Sequence, residues 1–183
     1  MKRISLGLVF ILAILSACVS ESENAEVMLS REKMAFEAYI EANQIEGVRV
    51  EREPALGFIF IWLEESNTGV KPEPLDTIEV DYIGRLVDNL VFDTSIESVA
   101  REVGIFNPQR NYQPLKYLHD VGSVIIGFDY AISKMDFGDK MIAFIPSIYA
   151  YGRAGQGNIR PNTPLIFELH LMPKDIDEEE PED

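Results

Sequence analysis

The chain has 183 residues, 46% of them hydrophobic, which is enough for one domain with a buried core and short appendages. Acidic residues outnumber basic ones by 31 to 16, and a net charge of -15 repels phosphates, so no nucleic acid partner is expected. The single cysteine, Cys18, excludes an intramolecular disulfide. Neither His119 nor His170 has neighbours at metal-ligand spacing, so we expect no metal and no other cofactor.

Residues 1–18 have the pattern of a targeting segment. Lys2 and Arg3 precede an apolar run at 6–15 that is too short to span a bilayer as a helix. The run ends in Leu-Ser-Ala-Cys at Cys18, which resembles the signal of bacterial lipoproteins, where lipid is attached to the cysteine. This resemblance implies a lipid anchor in the bacterial cell envelope, on the outer membrane, facing the periplasm or the cell surface. An ordinary secretory signal with a chance cysteine is the alternative.

The segment after the cysteine is polar and acidic, and we predict a flexible tether over 19–29. Ser30 is a candidate N-cap and Gly47 a candidate stop, so an added N-terminal helix is predicted over 30–46. Residues 30–54 are interpreted as this helix and a linker, with a structural role.

Short apolar or alternating runs, separated by turn residues, predict strands through the rest of the chain. Together with a short amphipathic helix they predict an α+β domain over 55–174, in which a curled antiparallel sheet wraps on that helix. The acidic tail at 175–183 is predicted to be disordered. The predicted strands cover 56–63, 77–86, 90–93, 114–119, 140–145 and 165–172, and the predicted short helices cover 96–103 and 127–135.

Two aromatic residues near the end of the chain predict a small binding pocket. Tyr151 lies in a glycine-rich loop, and Phe167 lies on an alternating strand with one buried face. An aromatic wall beside a phenol hydroxyl describes an apolar pocket with one polar group.

Several motifs occur in an order that resembles FKBP-type peptidyl-prolyl cis–trans isomerases, over about residues 75–173. With the Leu-Ser-Ala-Cys signal, the chain further resembles the FKBP lipoproteins of Bacteroidetes-type bacteria, some of them associated with gliding motility. The motifs are Val-Asp-Tyr-Ile-Gly from Val80, Phe-Asp-Thr-Ser from Phe92, Val-Ile-Ile-Gly-Phe from Val124, Ile-Pro-Ser-Ile-Tyr-Ala-Tyr-Gly from Ile145, and Pro-Asn-Thr-Pro-Leu-Ile-Phe from Pro161.

The family resemblance implies an FKBP-like fold with its pocket between helix and sheet. It implies that three residues carry catalysis, namely Asp93, Tyr151 and Phe167. The residues that it places at the substrate are Tyr82, Phe92, Leu115, Val124, Ile125, Phe128 and Ile159.

The chain departs from the family pattern at several positions. Leu115 stands where an aromatic residue is frequent, Phe128 where eukaryotic members often have Trp, and Arg160 where a second proline is usual, after a loop one residue short. An insertion at 96–113 follows Asp93, and it either overhangs the pocket or packs on the outside.

The resemblance implies an isomerase that acts on Xaa–Pro bonds of proline-containing polypeptides during envelope protein folding. The alternative is a module or chaperone that binds proline-containing segments without turnover, as an accessory to gliding or secretion. The client proteins and the oligomeric state stay open at this point.

Overall fold

The computed structural model describes residues 25–174, which form mainly short strands together with a few helices. Over this range the chain forms seven strands, three α-helices and one 3₁₀ turn. In chain order they are α1 (described over 25–42), β1 (Arg49–Glu53), β2 (Phe58–Glu64), β3 (Thr77–Arg85), β4 (Val91–Thr94), α2 (Glu97–Glu102), β5 (Leu115–Leu118), α3 (Ile126–Lys134), β6 (Lys140–Ile145), the 3₁₀ turn Ser147–Tyr149, and β7 (Leu165–Leu171).

The strands form one antiparallel sheet in the order β1-β2-β6-β7-β3-β4. The first half of β3 pairs with β5, and its second half pairs with β4. In the centre of the sheet, β3 lies beside β7, with Tyr82 opposite Leu169. The two strands that carry Tyr82 and Phe167 are therefore direct neighbours.

Each face of the sheet is covered by one helix. On β2, the alternating aromatic residues Phe58, Phe60 and Trp62 join the main core with α3. The intervening Ile59 and Ile61 face the other way and pack with α1 in a second, smaller core. This alternation follows from the two-residue repeat of a strand, and it explains why β2 is one continuous apolar run. The predicted α+β architecture, an antiparallel sheet packed on one short helix with an added N-terminal helix, is confirmed.

The N-terminal helix differs from the prediction at both ends. Residues 25–29, assigned to the tether, are already helical, so Ser30 is not the N-cap. The helix ends after residue 42 rather than at residue 46, and the left-handed residue that closes it is Gln44 (φ 50°) rather than Gly47. The Ile45 N–H then donates to the Ile40 carbonyl (3.0 Å), which is a Schellman-type end.

The prediction of a linker between the N-terminal helix and residue 54 is wrong as well, because this segment contains the edge strand β1. Arg49 of this strand stacks over the Trp62 ring at 3.3 Å, and Lys134 of α3 binds Glu51 and Glu53. Pairing with β2 and contacts of charged side chains, rather than an apolar face, therefore keep β1 on the sheet.

The other predicted strands and both short helices are present within a few residues of their predicted bounds. The predicted signal segment, most of the tether and the acidic tail lie outside the described residues. Between residues 25 and 174, no helix has the length and apolar character needed to cross a membrane.

Candidate functional site

Three aromatic rings from three different elements meet at the centre of the candidate site. Phe167 of β7 contacts Phe128 of α3 edge-to-face, with ring centroids 5.1 Å apart. Tyr82 of β3 lies 6.1 Å from Phe128 and 6.2 Å from Phe167. All three side chains are buried in the main core. The three rings thus form one packed aromatic cluster, with the edge-to-face contacts that aromatic pairs prefer.

A fourth ring completes this aromatic cluster. Phe92 of β4 is half-buried and contacts Phe167 edge-to-face at 5.7 Å. Both rings lie over Gly84 of β3, where a Cβ atom would come within 2.5 Å of Phe92 and 3.0 Å of Phe167. A side chain at residue 84 would therefore displace the wall of the cluster.

The remaining predicted pocket residues surround the cluster. Ile159 is buried beside it, after a tight turn in which residues 156 and 159 exchange backbone hydrogen bonds. The shortened loop before Arg160 therefore still brings an apolar side chain to the core. Four other predicted residues are partly buried and pack against the same core, namely Leu115, Val124, Ile125 and Tyr151.

Asp93, at the edge of the cluster, is held by three donors. Its carboxylate accepts hydrogen bonds from the Tyr82 hydroxyl (2.6 Å) and from the Thr94 N–H (2.9 Å). Arg110 forms an ion pair with the same carboxylate, and its other guanidinium nitrogen donates to the Tyr82 hydroxyl at 3.0 Å. The carboxylate is thereby fixed in one orientation.

Arg110 is a site residue that the sequence analysis missed. It lies in the 96–113 insertion, far along the chain from Asp93, in a loop without periodicity. The guanidinium also lies 5.2 Å from the Tyr112 ring, which stacks on Phe106. The insertion thus contacts the site, rather than packing only on the outside. A lone arginine in a polar loop gives no sequence signal for this contact.

Two tyrosines at the site have raised pKa values. Burial is the main cause at Tyr82, and together with the Asp93 carboxylate it raises the pKa of this phenol to about 12, against the opposing effect of Arg110. Burial, followed by the Asp93 charge, also raises the pKa of Tyr151. Both phenols are therefore neutral hydrogen-bond donors at physiological pH.

Two donors at the site are not used within the described part of the chain. The Ile125 N–H, just before α3, has no acceptor among residues 25–174, and the same holds for the Tyr151 hydroxyl. Ile125 and Tyr151 both pack against the aromatic core. The site thus combines an apolar surface with two donors that could reach carbonyl groups of a bound chain.

Among residues 25–174, no group of three or more His, Cys, Asp or Glu side chains is arranged to hold a metal ion.

Comparison with known proteins agrees with this site. Residues 68–172 match the model of the FKBP-type peptidyl-prolyl cis-trans isomerase family. The short-type peptidyl-prolyl cis-trans isomerase of Methanocaldococcus jannaschii is 42% identical over 77 residues, or 42% of this chain and 48% of that protein. The outer membrane protein MIP of Legionella longbeachae is 34% identical over 109 residues, or 59% of this chain and 40% of that protein.

A solved peptidyl-prolyl cis-trans isomerase from Pseudomonas syringae has a similar structure, with a TM-score of 0.58 and 32% identity. The match covers 80% of this chain and 92% of that structure. The chain spans less than half the length of the two curated relatives that it matches. Since the family model covers more than half of the 183 residues, the chain belongs to the FKBP-type peptidyl-prolyl cis-trans isomerase family.

Proposed function

We propose that this chain catalyses the cis–trans isomerisation of Xaa–Pro bonds in proline-containing polypeptides. The observation that carries the proposal is the aromatic cluster, in which Tyr82, Phe128 and Phe167 meet beside two unused hydrogen-bond donors. A proline ring is a compact apolar group, and the peptide carbonyls beside it need donors. The site offers both kinds of contact, apolar side chains and hydrogen-bond donors.

The reaction requires no bond to be made or broken. Amide resonance sets a barrier of about 20 kcal/mol, so the uncatalysed rotation takes tens of seconds or longer. At the top of this barrier the twisted amide is less polar than the planar one, so it loses less on leaving water. An apolar site that binds the twisted state more tightly than the planar state accelerates the rotation. A thousand-fold acceleration requires only about 4 kcal/mol of differential binding.

The donors have separate roles in this scheme. The Ile125 N–H and the Tyr151 hydroxyl bind substrate carbonyls, and Phe167 holds the proline ring while the preceding carbonyl rotates. Asp93 keeps the Tyr82 ring and Arg110 in place through its hydrogen bonds and ion pair. Asp93 could either orient neighbouring polar groups or receive the rotating carbonyl, and its hydrogen bonds and ion pair support the first role.

The test is the rate of cis-to-trans conversion of a short Leu-Pro peptide with purified protein. Phe167→Leu removes the ring at the centre of the cluster and should lower kcat/KM at least tenfold. Ile166→Val is the matched control, because Ile166 is buried on the same strand but faces the core beneath α1. A folded wild-type protein that does not accelerate the conversion, yet binds the peptide, would instead be a binding module without turnover.

For location, we propose a lipid anchor on Cys18 that holds the chain at the bacterial outer membrane. The support is the Leu-Ser-Ala-Cys signal, together with a relative that is named as an outer membrane protein. Labelling of cells with an alkyne-bearing palmitate should mark the wild-type protein and leave Cys18→Ala unlabelled. Equal labelling of both proteins would refute the anchor.

The clients would then be envelope proteins, and the Bacteroidetes-type resemblance extends this to a role in gliding motility. In a gliding host, a strain that carries only the Phe167→Leu protein should lose the motility that wild-type protein restores. Full motility in that strain would separate gliding from isomerase activity.

A further inference from the structure

A buried carboxylate on α1 contacts the loop that carries Tyr151. Glu32 is only 6% exposed, and the mechanism above does not use it. One carboxylate oxygen accepts the Ser147 N–H at 3.0 Å, and the other accepts the Ser147 hydroxyl at 2.5 Å. Burial raises the pKa of Glu32, and the two hydrogen bonds from Ser147 oppose this shift in part. Burial of a carboxylate costs free energy, so the buried position of Glu32 requires a physical explanation.

Ser147 stabilises, through its backbone carbonyl, the turn that contains Tyr151. Its carbonyl accepts the Ala150 N–H at 3.0 Å and the Gly152 N–H at 2.8 Å. These two amides flank Tyr151, and the Gly152 carbonyl in turn accepts the Asn162 N–H at 2.7 Å. A rotation of the Ser147 peptide groups would therefore move the Tyr151 hydroxyl relative to the aromatic cluster.

The attachment of α1 to the domain includes apolar contacts that do not involve Glu32. Phe36 and Tyr39 of the helix contact Phe144 edge-to-face, with centroids 5.4 and 6.0 Å apart. Their rings join a core of sheet residues on the face opposite α3. Apolar packing therefore anchors the helix, and the Glu32 carboxylate is available for a local task at Ser147.

We propose that Glu32 is a positioning residue for the isomerase site, which makes α1 part of the catalytic unit. The carboxylate fixes Ser147, and Ser147 fixes the turn that presents the Tyr151 hydroxyl to the substrate. The inference rests on the proposed isomerase function for its effect on rate, but not for its effect on the turn. It assigns to the N-terminal helix a role in the site, beyond the structural role expected from its sequence.

The test compares three variants of the full chain in mild detergent. Glu32→Ala leaves the Ser147 N–H and hydroxyl without their acceptor. Glu32→Gln keeps both contacts, since the amide oxygen can accept the N–H while the amide nitrogen donates to the hydroxyl oxygen. Phe36→Leu is the control, because it loosens the packing of α1 on Phe144 without touching Ser147.

Two readouts are measured on each protein after denaturant titration has shown that it is folded. The first is kcat/KM on the Leu-Pro peptide, which we expect to fall about tenfold in Glu32→Ala, since small misplacements of a catalytic group lower rates steeply. The second is hydrogen exchange at the Ala150 and Gly152 amides, which should accelerate about tenfold in the same variant. Glu32→Gln should restore both readouts, and Phe36→Leu should change neither beyond its effect on global stability.

The outcomes separate the inference from the proposed function. Unchanged exchange at Ala150 and Gly152 in Glu32→Ala would overturn the inference, and so would an equal effect of Phe36→Leu. Faster exchange with an unchanged kcat/KM would also overturn it, because the turn would then move without consequence for the reaction. An inactive wild-type protein would refute the isomerase proposal, and the exchange data would still decide whether Glu32 positions the turn.

Discussion

The Phe92 and Phe167 rings pack closely on Gly84 of β3, so the substitution Gly84→Ala tests the aromatic cluster directly. The new Cβ would lie 2.5 Å from Phe92 Cζ, 2.8 Å from Phe92 Cε2 and 3.0 Å from Phe167 Cε1. Carbon atoms in contact normally lie about 3.5–4.0 Å apart, so the Phe92 ring must retreat by roughly 1 Å. Because Phe92 is half-buried at the edge of the cluster, the ring can move outward instead of breaking the fold.

Two effects of this substitution can be estimated. Overpacking of this kind costs about 1–3 kcal/mol of unfolding free energy. A displacement of about 1 Å in a catalytic wall can lower a rate roughly a hundredfold, so kcat/KM should fall about 10- to 100-fold. The assay is Leu-Pro peptide conversion at a temperature where denaturant titration shows the variant to be fully folded.

The control for this prediction is Ile78→Val on the same strand. Ile78 is fully buried, and loss of its methylene costs about 0.5–1.5 kcal/mol. It lies six residues from Gly84 on β3, and should leave kcat/KM unchanged. A folded Gly84→Ala protein with wild-type kcat/KM would refute the assignment of Phe92 and Phe167 as the walls of the site.

Three further predictions test individual groups. Arg110→Ala should lower kcat/KM about three- to tenfold. It should cost less than about 1 kcal/mol of stability, because the ion pair with Asp93 is more than a third exposed. The control Arg101→Ala, in the same insertion, should change neither quantity in the same assays. Folding raises the pKa of Tyr82 to about 12, so the contribution of this neutral phenol to stability is complete below pH 10 and is lost as the pH rises towards 12. In urea titrations at pH 9 to 11.5, the unfolding free energy should therefore fall more steeply for wild type than for Tyr82→Phe. Parallel curves would contradict this prediction. The pKa of Glu32 is also raised, so the wild-type protein should lose stability relative to Glu32→Gln as the pH rises above about 4.5. A constant difference in unfolding free energy between the two proteins from pH 4 to 7 would disprove this.

The sequence predicted those elements in which local pattern and tertiary environment agree. β3 alternates because one face is buried, and β2 is continuously apolar because both faces are covered, by α3 on one side and α1 on the other. The predicted site residues also come together, because β3 pairs with both β4 and β7 and because α3 packs on the same core. The family resemblance, not periodicity, supplied their grouping.

The errors occurred where tertiary contacts override local pattern. β1 carries four charged residues in five, and only its pairing with β2 and its contacts to Trp62 and Lys134 make it a strand. The left-handed residue that closes α1 is Gln44, in spite of a nearby glycine. A Cβ at Gly47 would come within 2.3 Å of the Trp62 carbonyl, so this glycine allows close approach to β2 instead.

Arg110 and Glu32 show the same limit at the site itself. Each makes its functional contact with a residue distant in the chain, Asp93 for the arginine and Ser147 for the glutamate. Neither lies in a motif or a periodic segment that would single it out. Only the three-dimensional arrangement brings them to the aromatic cluster and to the Tyr151 turn.

The pairing of β3 with β7 has a consequence for how the protein itself matures. Tyr82 pairs opposite Leu169, and the first strand of the main core, β2, pairs with β6, so the central contacts join segments far apart in the chain. Contacts of this kind form slowly, because long loops must close before any pairing can stabilise them. β7, the last strand among residues 25–174, supplies Phe167, so a nascent chain has no complete site until Leu171 has left the ribosome. If the chain is exported through a narrow channel, the whole site must assemble on the far side of the membrane, after translocation has passed β7.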